Sequence, residues 1–127
     1  MNTAAVAFGS NLDPVRHIKR ARALVHQRYG IVAASPFVVT APIGPADQPD
    51  FLNGVVLVRT AEARAAVERG LKAIEAAVGR RRDGDRYGPR VIDLDLVVWN
   101  GRVVHEDVRE RDFVRDGVLA VLPDLAL

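Results

Sequence analysis

Apolar residues recur along this chain in two rhythms, an every-other-residue run and a three-and-four repeat, with polar breaks between them. The run Thr3 to Phe8 ends at Gly9-Ser10-Asn11 and predicts a buried first strand. Asp13-Pro14 predicts a helix start, with Asp as the cap and Pro in the first turn. Val15, Ile18, Ala21, Leu24 and Val25 continue it at helical spacing, and Gly30 stops it. Ile31 to Val39 reads as a second strand in which Pro36 marks an edge or a bulge. Thr40 to Leu52 holds Pro42, Pro45, Pro49, Gly44, Asp47 and Asp50 and predicts a long, stiff loop. Asn53 to Thr60 predicts a third strand, with Thr60 capping a second helix on Val67, Leu71, Ile74 and Val78 that Gly79 ends. Arg80 to Arg90 is a polar, arginine-rich loop, and Val91 to Trp99 a fourth strand. Asn100-Gly101 is a hairpin signal, with a short return strand over Arg102 to Val104. From Asp112 to Leu127 the pattern is weaker and leaves room for a helical turn or two.

This β-α-β-β-α-β order predicts an α+β, ferredoxin-like fold: an antiparallel four-stranded sheet, two helices on one face and a short C-terminal extension. With no internal repeat and no linker, residues 1–127 read as a single domain. Such a fold hosts many chemistries and does not itself name one.

Composition narrows the setting. The chain has 127 residues, 49% of them apolar, enough for one core, yet no window is apolar for long enough to span a membrane. Met1 to Val6 has no charged leader segment, and no cysteine is present. Disulfides and thiolate zinc sites are excluded, and a cytoplasmic location is expected. The net charge of +2 gives no general pull toward nucleic acid. Only Lys19 and Lys72 are lysines; the other fixed cations are arginines. Two explanations stand: an Arg-rich codon bias, or bidentate recognition of phosphate.

Candidate chemistry concentrates in Val91 to Leu96. Strand alternation puts Asp93 and Asp95 on one face, roughly 6.5–7 Å apart, with Ile92, Leu94 and Leu96 on the other. Two such carboxylates suit magnesium, which keeps positions for substrate phosphates, or a two-metal site with ions ~3.5–4 Å apart. The alternative is a solvated polar face. Arg80, Arg82, Arg86 and Arg90 lie just upstream, as a polyphosphate transfer needs. Gly79, Gly84 and Gly88 would let that loop close, though an exposed basic loop balanced by Asp83 and Asp85 fits as well. Asn53 offers a donor and an acceptor to a heteroaromatic ring; Phe51 and Tyr87 could stack on it, or Phe51 could belong to the core. Glu75, one residue off the apolar stripe, reads as a helix-edge residue. No P-loop and no dinucleotide fingerprint occurs, so any ATP site is of another kind.

Arg86-Tyr87-Gly88-Pro89-Arg90-Val91-Ile92-Asp93-Leu94-Asp95-Leu96-Val97 resembles the signature of the 6-hydroxymethyl-7,8-dihydropterin pyrophosphokinase family. Phe8-Gly9-Ser10-Asn11-Leu12, Thr40 to Pro45 and Gln48 to Asn53 agree with it, and the resemblance covers residues 1 to about 104. It implies a folate-pathway enzyme in which the pterin hydroxymethyl oxygen attacks the β-phosphorus of ATP and AMP leaves. It further implies two Mg2+ ions on Asp93 and Asp95. The pterin pocket would be Thr40, Ala41, Pro42, Ile43, Phe51 and Asn53, with Tyr87, Phe113 and Asp93. Arg80, Arg82 and Arg90 would act on the triphosphate, with Lys72 and Glu75 on the nucleotide side and Gly84 to Tyr87 in a closing loop. Arg102 to Arg111 lacks the family's Pro-His-Pro segment and is shortened by several residues. His105, followed by Arg111 and Phe113, either stands in for the family's ATP-binding histidine or is a bystander. Tyr87 stands where the family has Trp, and Ala41 where Pro is common.

Two other readings differ in class. A repurposed pterin-binding relative with an incomplete ATP site would bind pterin but not ATP. An RNA-binding module would stack bases on sheet aromatics, but the predicted strands carry almost none, and Asp93 and Asp95 would repel phosphate. The expected partners are therefore pterin and ATP, with neither nucleic acid nor membrane; oligomeric state is left open.

Overall fold

The computed structural model describes residues 1–44, 47–80 and 90–127. In chain order its elements are β1 (Asn2–Ser10), α1 (Pro14–Tyr29), β2 (Ile31–Ala34), β3 (Val38–Thr40), β4 (Phe51–Thr60), α2 (Arg64–Val78), β5 (Asp93–Trp99), β6 (Arg102–Val103), α3 (Asp107–Glu110) and α4 (Asp112–Val121). The strands form one open, antiparallel sheet in the order β2-β4-β1-β5-β6, with β3 also paired to β4.

Among the described residues the sheet has six strands against the predicted four: the short return strand is present as β6, and the second strand is two. The second strand is split at Ser35-Pro36-Phe37. Proline has no N–H for the ladder. Ser35 stands in on both sides: its backbone N–H donates to Val55 O (2.8 Å), and its hydroxyl accepts from the Val55 N–H (2.8 Å). Phe37 then lies over β4 at Gly54, where an added Cβ would sit 2.3 Å from the Phe37 ring. Gly54→Ala must displace that ring, which also packs edge-to-face on Phe8 with ring centroids 6.0 Å apart. It is expected to cost about 1–3 kcal/mol, read as a lower denaturation midpoint in urea.

Local signals at the helix ends hold in part. Gly30 (φ 81°) and Gly79 (φ 121°) take the left-handed backbone that ends α1 and α2. Asp13 does not cap α1: it lies at φ 44°, ψ 57°, and its carboxylate pairs with Arg16 at 2.7 Å. Thr60 does not cap α2 either. That helix starts at Arg64, and the Thr60 hydroxyl accepts the Glu62 N–H in the turn before it.

Helices cover both faces of the sheet, a correction to the expected single layer. On one face α1 and α2 lay Ile18, Val25, Leu71 and Ile74 against Val6, Phe8, Val56, Leu94 and Leu96. On the other, Val114, Val118 and Val121 of α4 meet Ala5, Val55, Val97 and Val98. The expected helical turn or two is thus a ten-residue helix. Gly117 lets it approach, because a Cβ there would come within 2.6 Å of Val55. A bulge in β5 adjusts the fit: Ala5 pairs with Val98 and Val6 with Leu96, so Val97 is the extra residue. Below the bulge Asp95 and Asp93 stand opposite Ala7 and Gly9, on the α4 side of the sheet.

Candidate functional site

A cleft of about 370 Å³ opens beyond the N-terminus of α4, over this second face. Its floor is Ala7 and Gly9 of β1, Phe51, Asn53 and Val55 of β4, and Asp93 and Asp95 of β5. Small residues opposite the two aspartates leave the space. A Cβ on Gly9 would meet Asn53 Oδ1 at 2.8 Å. Thr40, Ala41 and Ile43 form one wall, Arg80 and Arg90 another, and His105, Glu106, Asp107, Arg111 and Phe113 a third. The Asn53 amide donates to the Thr40 hydroxyl, so this pair is held in place before any ligand arrives.

Twelve of the residues named from the sequence therefore meet in one cleft: Thr40, Ala41, Ile43, Phe51, Asn53, Arg80, Arg90, Asp93, Asp95, His105, Arg111 and Phe113. Pro42 does not line it. Arg82 and Tyr87, with Gly84, Arg86 and Gly88, lie outside the described residues. Lys72 lines a smaller cavity of about 200 Å³ with Arg64, Glu68, Leu71, Leu94, Leu96 and Val104. Asp95 and His105 line both spaces and stand at their junction.

Glu75 is not a helix-edge residue. It is 1% exposed and lines neither cavity. One carboxylate oxygen accepts the Leu94 N–H (2.7 Å) and Arg80 Nη1 (2.9 Å), and the Lys72 ammonium stands 3.6 Å from the other. The strand β5 creates this environment; the helical pattern alone could not show it. Through Arg80, whose Nη1 also donates to Asp93 Oδ1 at 2.8 Å, Glu75 is tied to the floor of the cleft.

Burial, and then the charge of Asp93, push the Asp95 carboxyl up to about 6, against the smaller opposing pull of His105 and Lys72. Two acids in this position favour a bound cation. Ligand atoms of Asp95, His105 and Asp107 also lie within 4.8 Å of one another. Asp107 went unnoticed in the sequence, where only its place two residues after His105 marked it. The Asp107 N–H donates to His105 Nδ1 (3.1 Å), so the neutral ring carries its proton on Nε2, a donor available to an anion.

Asn11 belongs to the Phe8 to Leu12 segment that agrees with the family signature, but the sequence gives it no role of its own. It is 2% exposed and lies just past β1. Its amide donates to Gln48 Oε1 (2.9 Å) and Pro49 O (3.0 Å), while its Oδ1 accepts the Arg90 N–H (2.7 Å). One side chain thereby joins the loop before β4 to Arg90, three residues before β5. Asn11→Ala is expected to cost about 1–3 kcal/mol in urea unfolding, because it strands the Arg90 N–H.

Residues 5–123 match the family described as 7,8-dihydro-6-hydroxymethylpterin-pyrophosphokinase. A 2-amino-4-hydroxy-6-hydroxymethyldihydropteridine pyrophosphokinase of Pseudomonas aeruginosa is 38% identical over 133 residues, covering 96% of this chain and 82% of the relative. The protein of that name from Haemophilus influenzae is 33% identical over 138 residues, covering 100% and 86%. In Schizosaccharomyces pombe the match, 36% identical over 133 residues, takes up 18% of the longer folic acid synthesis protein fol1.

Proposed function

Because the chain belongs to the 7,8-dihydro-6-hydroxymethylpterin-pyrophosphokinase family, we propose that it transfers pyrophosphate from ATP to 6-hydroxymethyl-7,8-dihydropterin and releases AMP, a step of folate synthesis. The observation that carries this reading to the site is the position of Asp95. It stands where the larger cleft meets the smaller cavity, so two ligands lying in the two spaces would have their reacting ends beside it. No helix of the described residues is long and apolar enough to cross a membrane, and the cysteine-free composition supports a reducing, cytoplasmic setting.

The pterin takes the larger cleft. Asn53 presents its amide to the polar edge of the ring and Thr40 orients it, while Phe51 and Phe113 supply apolar contact and Ala41 and Ile43 close the wall. Tyr87 and Pro42 belong to this pocket by the family resemblance alone. The nucleoside of ATP takes the smaller cavity, among Leu71, Leu94, Leu96 and Val104 beside Lys72. Arg80, Arg90 and Arg111 line the larger cleft and His105 lines both spaces, so phosphates reaching into the cleft past Asp95 would meet their donors, with Arg82 added by resemblance. Guanidinium groups suit that work because their paired donors match phosphate oxygens.

Asp93 and Asp95 would hold two magnesium ions. Their fit is physical: the two acids share one strand face, burial and mutual repulsion raise the Asp95 carboxyl, and only Arg80 pairs with either among the described residues. When bound, the ions would screen the phosphate charge and polarise phosphoryl oxygens. The protein's own contribution is mainly alignment. The hydroxymethyl oxygen is brought in line with the β-phosphorus; the new O–P bond forms as the bond to the α-phosphate oxygen breaks and the hydroxyl proton passes to water; the arginines meet the charge that moves onto AMP.

The test is AMP formation from ATP, Mg2+ and 6-hydroxymethyl-7,8-dihydropterin by the purified chain, with hydroxymethyl-dihydropterin diphosphate as co-product. A folded sample that makes no AMP above the pterin-free control would overturn the assignment.

A further inference from the structure

We propose that Arg80 stands in for a cation at Asp93 while nucleotide is absent, so that metal entry and the release of this arginine are one exchange. The inference rests on the magnesium reading above.

The contacts of Arg80 are those of a holding position. A guanidinium can meet a carboxylate with two parallel N–H bonds. Arg80 instead uses one nitrogen, Nη1, for both Glu75 Oε2 (2.9 Å) and Asp93 Oδ1 (2.8 Å). Its Nε is buried with no partner among the described residues. The side chain is only 14% exposed, so water does little to complete its bonding. A buried orphan donor in an otherwise satisfied region points to a group that completes its bonding in another state.

The two ends of this bridge differ in firmness. Glu75 is locked, since it also accepts the Leu94 N–H and faces Lys72. Asp93 is 38% exposed in its side chain and lines the cleft. A divalent ion at Asp93 Oδ1 competes with Arg80 for that oxygen, and the two cations repel each other at such short range. That competition favours the release of Arg80 from Asp93. Its anchor at Glu75 keeps it at the wall of the cleft, where polyphosphate oxygens offer the two-pronged contact it lacks. Nucleotide thus gives Arg80 a replacement partner and makes metal binding easier, and by reciprocity metal makes nucleotide binding easier.

The experiment is calorimetric titration of Mn2+ into the full chain, with and without a non-hydrolysable ATP analogue. Arg80→Met is compared with wild type, with Arg80→Lys and with Arg111→Met. Arg80→Met should bind Mn2+ about tenfold tighter than wild type without nucleotide, and should lose most of the gain that the analogue gives wild type. Arg80→Lys keeps the charge on a slightly shorter side chain and should bind within about threefold of wild type. In the titration without nucleotide, where its place at the phosphates has no bearing, Arg111→Met removes a cation of the same cleft that pairs with Asp107 instead, and should change Mn2+ affinity less than about twofold. Unchanged or weaker binding by Arg80→Met overturns the proposal. So does an equal gain from Arg111→Met, which would mean a general field and no local exchange. If Arg80→Met does not fold, the Arg80 Nε–H resonance of wild type decides: it should shift on Mg2+ addition in the presence of the analogue, and a fixed resonance overturns the exchange. Failure of the metal reading looks different, with wild type binding no Mn2+ even beside the analogue, and it overturns both.

Discussion

Asp95→Asn is expected to lower turnover by about 10³-fold or more while making the substrate-free protein more stable above pH 6. The two effects share one cause. Burial and the neighbouring Asp93 raise the Asp95 carboxyl to about 6, above its ordinary value of 3.8. The folded protein therefore holds this proton more tightly than the unfolded chain does. As pH rises from about 4 to 6, the folded state loses that advantage, and above 6 it carries the full cost of an ionised, crowded acid. Asparagine removes the cost. The gain at pH 7.5 is up to about 3 kcal/mol and vanishes near pH 4, read from urea unfolding at the two values. Added Mg2+ with an ATP analogue should stabilise wild type and not the variant. An Asp95→Asn protein with near-normal turnover would remove Asp95 from the metal site; equal stability at pH 7.5 would remove the strain.

What the chain reveals in advance follows the range of each interaction. Asp93 and Asp95 share a face because alternation is a property of one strand, and that was legible from six residues. Gly30, Gly79 and Asn100-Gly101 were legible for the same reason, since each sets its own backbone. Local reasoning failed at Asp13, where Asp-Pro suggested a cap; the side chain turns to Arg16. It under-read α4, although Val114, Gly117, Val118 and Val121 keep helical spacing, because Arg115 and Asp116 interrupt the run. Contacts between distant segments left no periodic trace. Nothing in the sequence joins Asn11 to Gln48 and Arg90. His105, Arg111 and Phe113 entered on the resemblance, and the cleft brings them to the aspartates because α3 and the start of α4 lie at its rim.

Glu75 is the sharpest case of a residue whose meaning comes from the fold, and its loss should be the most damaging single change to stability. Glu75→Ala removes the acceptor of the Leu94 N–H and one of the two carboxylates that hold Arg80. It leaves a buried strand amide and a mostly buried guanidinium short of partners, which costs about 3–5 kcal/mol. Glu75→Gln separates the parts. Its amide oxygen still accepts the Leu94 N–H, so only the charge is lost and the cost should fall to about half that of the alanine variant. Without the Glu75 charge, Arg80 has Asp93 as its remaining ion-pair partner. Mn2+ should therefore bind Glu75→Gln more weakly than wild type, although the substituted residue lines neither cavity. In a double-mutant cycle, Glu75→Ala and Arg80→Met should be markedly non-additive, because each removes what makes the other costly. Urea unfolding of the four proteins measures this coupling directly. Strict additivity, or an alanine variant as stable as wild type, would mean that Glu75 does not hold Arg80 in solution.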